Sequence, residues 1–177
     1  MLIYIMEKEK QTMELVDVYN DKHELLNYTK GRKELSKGEY HLSSFVWIIN
    51  DNDELLVQQR VSSDRNYPNM WGATAGGVRS GETNIDCIVR ELKEEMNMII
   101  DSNKLKFIGS YVREYDYVEI FILKSNINIL DLSLQKEEVQ SVKWVSIKDF
   151  EEMINKRIGI LSAYNIFKEY YNNYYKK

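Results

Sequence analysis

The stretch GGVRSGETNIDCIVRELKEEMNM, residues 76–98, constrains this chain more than any other. It opens on Gly76 and Gly77, and glycine lets a backbone turn sharply and approach a ligand closely. It then carries acids at fixed spacing: Glu82, Glu91, Glu94 and Glu95. Thr83 with Asp86 three residues on is a capping box, which predicts a helix starting at about Thr83. At about 100° per residue, Ile85, Ile88, Val89, Leu92 and Met96 form one apolar stripe. Glu91, Glu94 and Glu95 are expected together at its rim, with Arg90, Lys93 and Asp86 farther round towards solvent.

Carboxylates at i, i+3 and i+4 repel by a few tenths of a kcal/mol per pair on an exposed helix. A solvated face with Arg90 and Lys93 as counter-charges tolerates that. The alternative is a hard divalent cation. Mg²⁺ takes oxygen from one or two carboxylates, keeps several waters and is completed by substrate phosphate. The glycine loop before the helix favours the cation.

Gly76, five residues, Glu82, seven residues, Arg90-Glu91-Leu92, one residue, then Glu94-Glu95 resembles the Nudix box of the Nudix hydrolases at every charged position. The family expects glycine where this chain has Asn97. Asparagine is the next most tolerant residue of the left-handed conformation that ends a helix. The resemblance implies a three-layer α/β/α fold with a mixed β-sheet and the Nudix loop–helix motif. It implies hydrolysis of a diphosphate linkage in a small nucleotide-like or other diphosphate compound, with Mg²⁺ as cofactor and Mn²⁺ as its substitute. By the same resemblance, Glu94 and Glu95 ligate the metal, and Glu91 ligates metal or orients water. Arg90 fixes the glutamates, the Gly76 carbonyl completes the metal shell and Glu82 anchors the loop. Glu91 is the first choice of general base; Glu114, Asp116, Glu137 and Glu138 are later candidates, each also readable as a surface acid.

A looser match over residues 15–98, through GEYHLSSFVWIINDNDELLVQQR and YPNMWGATAGG, resembles the Nudix branch related to type I isopentenyl-diphosphate isomerase. That enzyme places its catalytic cysteine where this chain has Gly76 and a metal histidine where it has Val78. His41 matches another of its metal histidines, but the set is incomplete. The expectation is an isomerase relative without isomerase chemistry; the isomerase itself and a non-catalytic ligand-sensing domain stand as alternatives. By this resemblance Arg60, at the end of a strand, lies where the isomerase-like proteins have a basic residue that meets diphosphate, and Arg65, in the loop after it, is a weaker candidate. Guanidinium suits phosphate through paired, charge-assisted hydrogen bonds, and a solvated loop charge is the other reading of each. Cys87, the sole cysteine, falls on the carboxylate side of the helix and has no histidine in sequence reach to activate it.

The 177 residues predict one domain over residues 13–177, with residues 1–12 loosely held outside it. A net charge of −4 argues against a nucleic-acid polymer as partner, though not against an anionic substrate, because a bound cation reverses the local sign. One cysteine excludes an intramolecular disulfide and fits a reducing compartment. No apolar run approaches the roughly 18 residues of a membrane span, so no membrane partner is expected and the cytoplasm is the expected location. A small diphosphate substrate is the implied partner, with a homodimer left open. Along the chain, a hairpin is predicted over residues 13–30, strands over 41–50, 54–60, 70–75, 105–112, 117–124 and 141–145, and helices over 147–155 and 162–175. That order predicts a mixed sheet between helices.

Overall fold

The computed structural model of the protein describes residues 14–64 and 66–175. The expectations for residues 1–12 and for Arg65 lie outside the described residues. The described residues open with an antiparallel hairpin, β1 (Leu15–Tyr19) and β2 (Leu25–Gly31), which forms its own two-stranded sheet. The main sheet is built from β3 (His41–Ile49), β4 (Glu54–Arg60), β5 (Trp71–Gly72), β6 (Thr74–Gly77), β7 (Lys106–Val112), β8 (Asp116–Lys124) and β9 (Val139–Ser146). Helix α1 (Asn84–Met96) follows β6, while α2 (Ile147–Asn155) and α3 (Tyr164–Tyr174) follow β9.

β3 and β4 leave their turn as a hairpin, with Asn50 Oδ1 accepting the amides of Asn52 and Glu54 at 2.9 Å each. They pair antiparallel only at Ile48↔Leu56 and Ile49↔Leu55, then part. The resulting fork is filled from inside. β6 pairs with β3 from Val46↔Thr74 to Ser43↔Gly77, and β5 pairs with β4 at Gln58 and Gln59. The outer edge of β3 runs parallel to β8 from His41↔Asp116 to Ile49↔Lys124. β4 finds its main partner in β9, not in β3. Sequence alternation detects strands but not this fork, because β5 and β6 are too short to carry a period.

Alternate residues of β3 and β4 face opposite layers, as the pleat requires. Val46, Ile48 and Leu56 pack with Ile88, Leu92 and Met96 of α1. Trp47, Ile49, Leu55 and Val57 face α2 and α3, where the Trp47 ring lies 5.3 Å from Phe150, 5.6 Å from Tyr164 and 5.3 Å from Phe167. Each such fully buried side chain contributes roughly 1.5–3 kcal/mol. The fold is the expected α/β/α sandwich around a mixed sheet.

Both ends of α1 follow their local signals. Thr83 caps it, accepting the Asp86 amide, while the Asp86 carboxylate accepts the Thr83 amide at 2.9 Å. Asn97 ends it in the left-handed region at φ 53°, and the Met98 amide turns back to the Leu92 carbonyl at 3.0 Å. That backbone costs an ordinary L-residue roughly 1–2 kcal/mol. Asn97→Gly should therefore match or slightly exceed the parent in urea unfolding, and Asn97→Ala should lose on the order of 1 kcal/mol. Equal stability of the alanine and glycine variants would show that the cap is not governed by backbone conformation.

Candidate active site

Gly76 in β6 decides how α1 sits. It offers no side chain, so the helix lays its acidic edge on the β6 backbone. A Cβ at Gly76 would stand 2.1 Å from Glu91 Oε1. The buried face of α1 is consequently Asn84, Cys87, Ile88, Leu92, Glu95 and Met96. Ile85, assigned by periodicity to the apolar stripe, is 38% exposed, and Glu95, assigned to its rim, is 2% exposed. The helix is rotated towards its carboxylates.

Arg90, expected towards solvent, is instead the hub of the loop. Its Nε and Nη2 donate to the two oxygens of Glu82 at 2.7 and 3.0 Å. Nη2 also donates to the Gly77 carbonyl at 3.0 Å, and Nη1 to Glu91 Oε1 at 2.6 Å. Glu82 further accepts the Arg79 amide at 3.0 Å, which ties loop to helix. Burial works against the charge of Glu82, but the bonds from Arg90 and Arg79 outweigh it and hold its pKa below the ordinary value. The β1–β2 hairpin braces the same loop: Asp17 accepts Ser80 Oγ at 2.6 Å and the Gly81 amide at 3.0 Å.

The three box glutamates have three different environments. Glu94 is exposed and shared between Arg79 and Arg90, each at 3.3 Å. Glu91 is mostly buried against Gly76; desolvation raises its pKa although Arg90 pulls the other way. Glu95 is buried with Gln58 Nε2 donating to Oε2 at 2.9 Å, and Gln58 in turn accepts from Thr74 Oγ1 at 3.2 Å. Desolvation, reinforced by the charges of Glu91 and Glu138, pushes Glu95 up to about 8. Among the described residues no three acids or imidazoles converge closely enough to hold an ion in this arrangement. Glu94 and Glu91 are turned to arginines instead. Cys87 is fully buried, its thiol donating to the Gly77 carbonyl at 3.4 Å and raised to about 12 by burial and by Glu91; it is packing, not a nucleophile.

Across β6 from these acids lies a cleft of about 730 Å³, bounded by His41, Ser43, Phe45, Arg60, Tyr67 and Gly76, with Arg32, Lys33 and Arg113 on its walls. Arg60 is on that wall, but its guanidinium is held by Asp64, with Nε at 2.7 Å and Nη2 at 2.6 Å. His41 is buried, with Nδ1 2.8 Å from the Leu42 carbonyl. Asp116 is unsuited to act as a base: buried, it is paired with Arg113, whose hydrogen bonds overcome desolvation and lower its pKa. Glu114 and Glu137 are exposed and do not line the cleft, whereas Glu138 is close enough to bear on both Glu91 and Glu95. Sequence reasoning missed Gln58, Arg79 and Arg32. Gln58 had a signal, since alternation in ELLVQQR places it on the same face as Leu56.

The NUDIX domain family model matches residues 39–164. The chain belongs to the Nudix family. An uncharacterized Nudix hydrolase of Listeria innocua is 35% identical over 143 residues, 80% of this chain and 85% of that one. An isopentenyl-diphosphate Delta-isomerase of Cereibacter sphaeroides is 24% identical over 128 residues, 68% of this chain and 71% of that one. Among solved structures, DR0079 of Deinococcus radiodurans shares the fold at a TM-score of 0.70 with 17% identity, covering 88% of this chain and 98% of that one. A bifunctional NMN adenylyltransferase/ADP ribose pyrophosphatase of Francisella tularensis, complexed with AMP and a manganese ion, does so at 0.59 with 19% identity, covering 80% of this chain and 43% of that one. As a Nudix hydrolase the protein is a pyrophosphate-hydrolysing enzyme, of a family that generally uses divalent metal ions. No helix among its described residues is long and apolar enough to cross a membrane.

The burial of Glu95 carries a pH signature. Its folded pKa lies above the ordinary 4.5, so the folded state binds that proton more tightly than the unfolded one. Metal-free protein should lose stability as pH rises from about 4.5 towards 8. Glu95→Gln, which keeps an acceptor for Gln58, should melt higher than the parent in chelator at pH 8, and the gap should close at pH 5. A variant that melts lower at pH 8 would mean that the carboxylate is already compensated without metal.

Proposed function

We propose that this Nudix protein is a Mg²⁺-dependent hydrolase, with Mn²⁺ able to substitute, that splits a small diphosphate compound by attack of water at phosphorus. The observation that carries this reading is Glu95: a carboxylate 2% exposed, crowded by Glu91 and Glu138, with an amide as its hydrogen-bond partner. A buried carboxylate is retained at such cost only where something compensates it, and a divalent cation fits that donor set. Glu91, Glu94, Glu95 and the Gly76 carbonyl would hold it once Glu91 and Glu94 turn from their arginines. A bound divalent ion supplies neutralisation of phosphoryl charge and a lowered pKa for water.

The protein's own groups supply the rest. Arg90 keeps the loop closed on the helix through Glu82 and the Gly77 carbonyl. Glu91, with a pKa raised by burial, suits a proton acceptor working near neutrality, and Glu138 is the nearest alternate. The cleft beside Gly76 receives the substrate, with Arg60 on its wall.

Glu94→Gln and Glu95→Gln should each reduce turnover by orders of magnitude, in a phosphate-release assay over nucleotides, sugar nucleotides, coenzymes and prenyl diphosphates. Both should also bind Mg²⁺ more weakly by calorimetry. Unchanged metal affinity in both variants would sink the assignment.

The same geometry predicts no interconversion of isopentenyl and dimethylallyl diphosphate. Gly76→Cys should not create it, because the new Cβ would overlap Glu91 Oε1 and Val78, 4% exposed in the core, offers no imidazole. The variant should instead lose hydrolysis. Isomerase activity in either protein, abolished by Glu95→Gln, would overturn the hydrolase reading.

A further inference from the structure

The cleft carries a charge imbalance that the box does not account for. Its walls hold the cationic side chains Arg32, Lys33, Arg60 and Arg113 against the acids Asp64 and Asp116. Both acids are already matched. Asp116 is bonded to Arg113 through Nε at 2.8 Å and through a second, shorter contact from Nη2. Asp64 holds Arg60, and its other oxygen accepts the amides of Asn66 and Tyr67 at 2.9 and 2.7 Å. Arg32 and Lys33, consecutive on the turn between β2 and β3, are left over.

Arg32 is poorly neutralised. Its ion-pair partner Glu14 is 3.9 Å away, and both side chains are more than a third exposed, a pairing worth little in solution. Lys33 has no ion-pair partner among the described residues. Yet the Arg32 guanidinium, though exposed, reaches the box: a Cβ at Gly77 would stand 2.6 Å from its Nη1. The glycine that follows Gly76 thus leaves room for an arginine on the cleft side of the strand.

We propose that Arg32, assisted by Lys33, is the principal ligand of the substrate's phosphoryl oxygens, and that Arg60 is secondary because Asp64 already occupies its fork. The inference rests on the hydrolase reading for calling the anion a substrate, and it deepens that reading by naming the residue that selects for a diphosphate. A guanidinium only loosely paired, as Arg32 is with Glu14 at 3.9 Å, can turn its planar fork onto two phosphoryl oxygens. An ion-paired one must first break its bonds.

The test is calorimetric titration of inorganic pyrophosphate into protein held in excess chelator, so that no metal contributes. The parent should bind, and Arg32→Ala should weaken binding by roughly ten- to a hundredfold. Arg32→Lys should fall between, Lys33→Ala should lose less than Arg32→Ala, and Arg60→Ala should stay within about threefold of the parent. Arg32 is exposed enough that its removal should leave the melting temperature unchanged, which separates lost affinity from lost fold. On the best substrate found, Arg32→Ala should raise KM with little change in kcat, the pattern of a grip made equally in ground and transition states. Failure of the parent to bind pyrophosphate, unchanged binding by Arg32→Ala, or an equal or greater loss in Arg60→Ala would each overturn the proposal. Arg32-dependent binding without turnover of any diphosphate would instead leave this inference standing and remove the hydrolase reading.

Discussion

The fork that Arg90 makes with Glu82 is the interaction on which the rest of the site depends. It joins residues eight apart, on opposite sides of the capping box, and its remaining donors reach the Gly77 carbonyl and Glu91. The guanidinium side chain is 13% exposed, so it is a buried charge whose hydrogen bonds must all be made. Removing one partner from such a group costs on the order of 3–5 kcal/mol. Lysine could not replace it, since a point charge has no geometry with which to hold loop, strand and helix at once. The ordered loop, the orientation of Glu91 and the closeness of α1 to β6 all follow from this one side chain.

β6 is a thin wall with a function on each side. The missing side chain of Gly76 is filled by Glu91 from α1, and that of Gly77 by Arg32 from the hairpin connector. Alternation along the strand sends the two vacancies to opposite faces. Two adjacent glycines therefore bring an acidic group and a basic group within a backbone's thickness of each other. The fork between β3 and β4 permits this, because it admits a short strand that needs no apolar residues to hold its place. Its bonds to Ser43, Ser44, Phe45 and Val46 do that.

Much of the fold was legible before the structure. The capping box at Thr83, the left-handed Asn97, α2 at residues 147–155 and the strands at 41–49 and 54–60 lie where local chemistry placed them. These signals are contained within a few residues. The rotation of α1 was not legible. A helical wheel ranks residues by hydrophobicity and so placed Ile85 inside and Glu95 at the edge, whereas the opposite surface is glycine backbone that accepts carboxylates. The partners of the box acids were equally hidden. Gln58 reaches Glu95 across 37 residues, and Arg79 meets Glu94 across 15. Such pairings exist only once the sheet is assembled.

The distribution of charge, more than its total, fits the chemistry. A net charge of −4 says nothing of a site in which Glu91 and Glu138 bear on the buried Glu95 while Arg32, only loosely paired with Glu14, and Lys33 line the cleft. Each side alone is electrostatically unfavourable: burial and the charges of Glu91 and Glu138 lift the Glu95 pKa, and Arg32 faces the cleft with only a loose pairing to Glu14. A bare cation would relieve only the first and a bare diphosphate only the second. On the proposed reading a divalent ion carried with a diphosphate would relieve both, its charge meeting the glutamates and the phosphoryl oxygens meeting Arg32. That complementarity would favour joint binding over either component alone, and Arg79 and Arg90 are the compensation that Glu91 and Glu94 have in this structure.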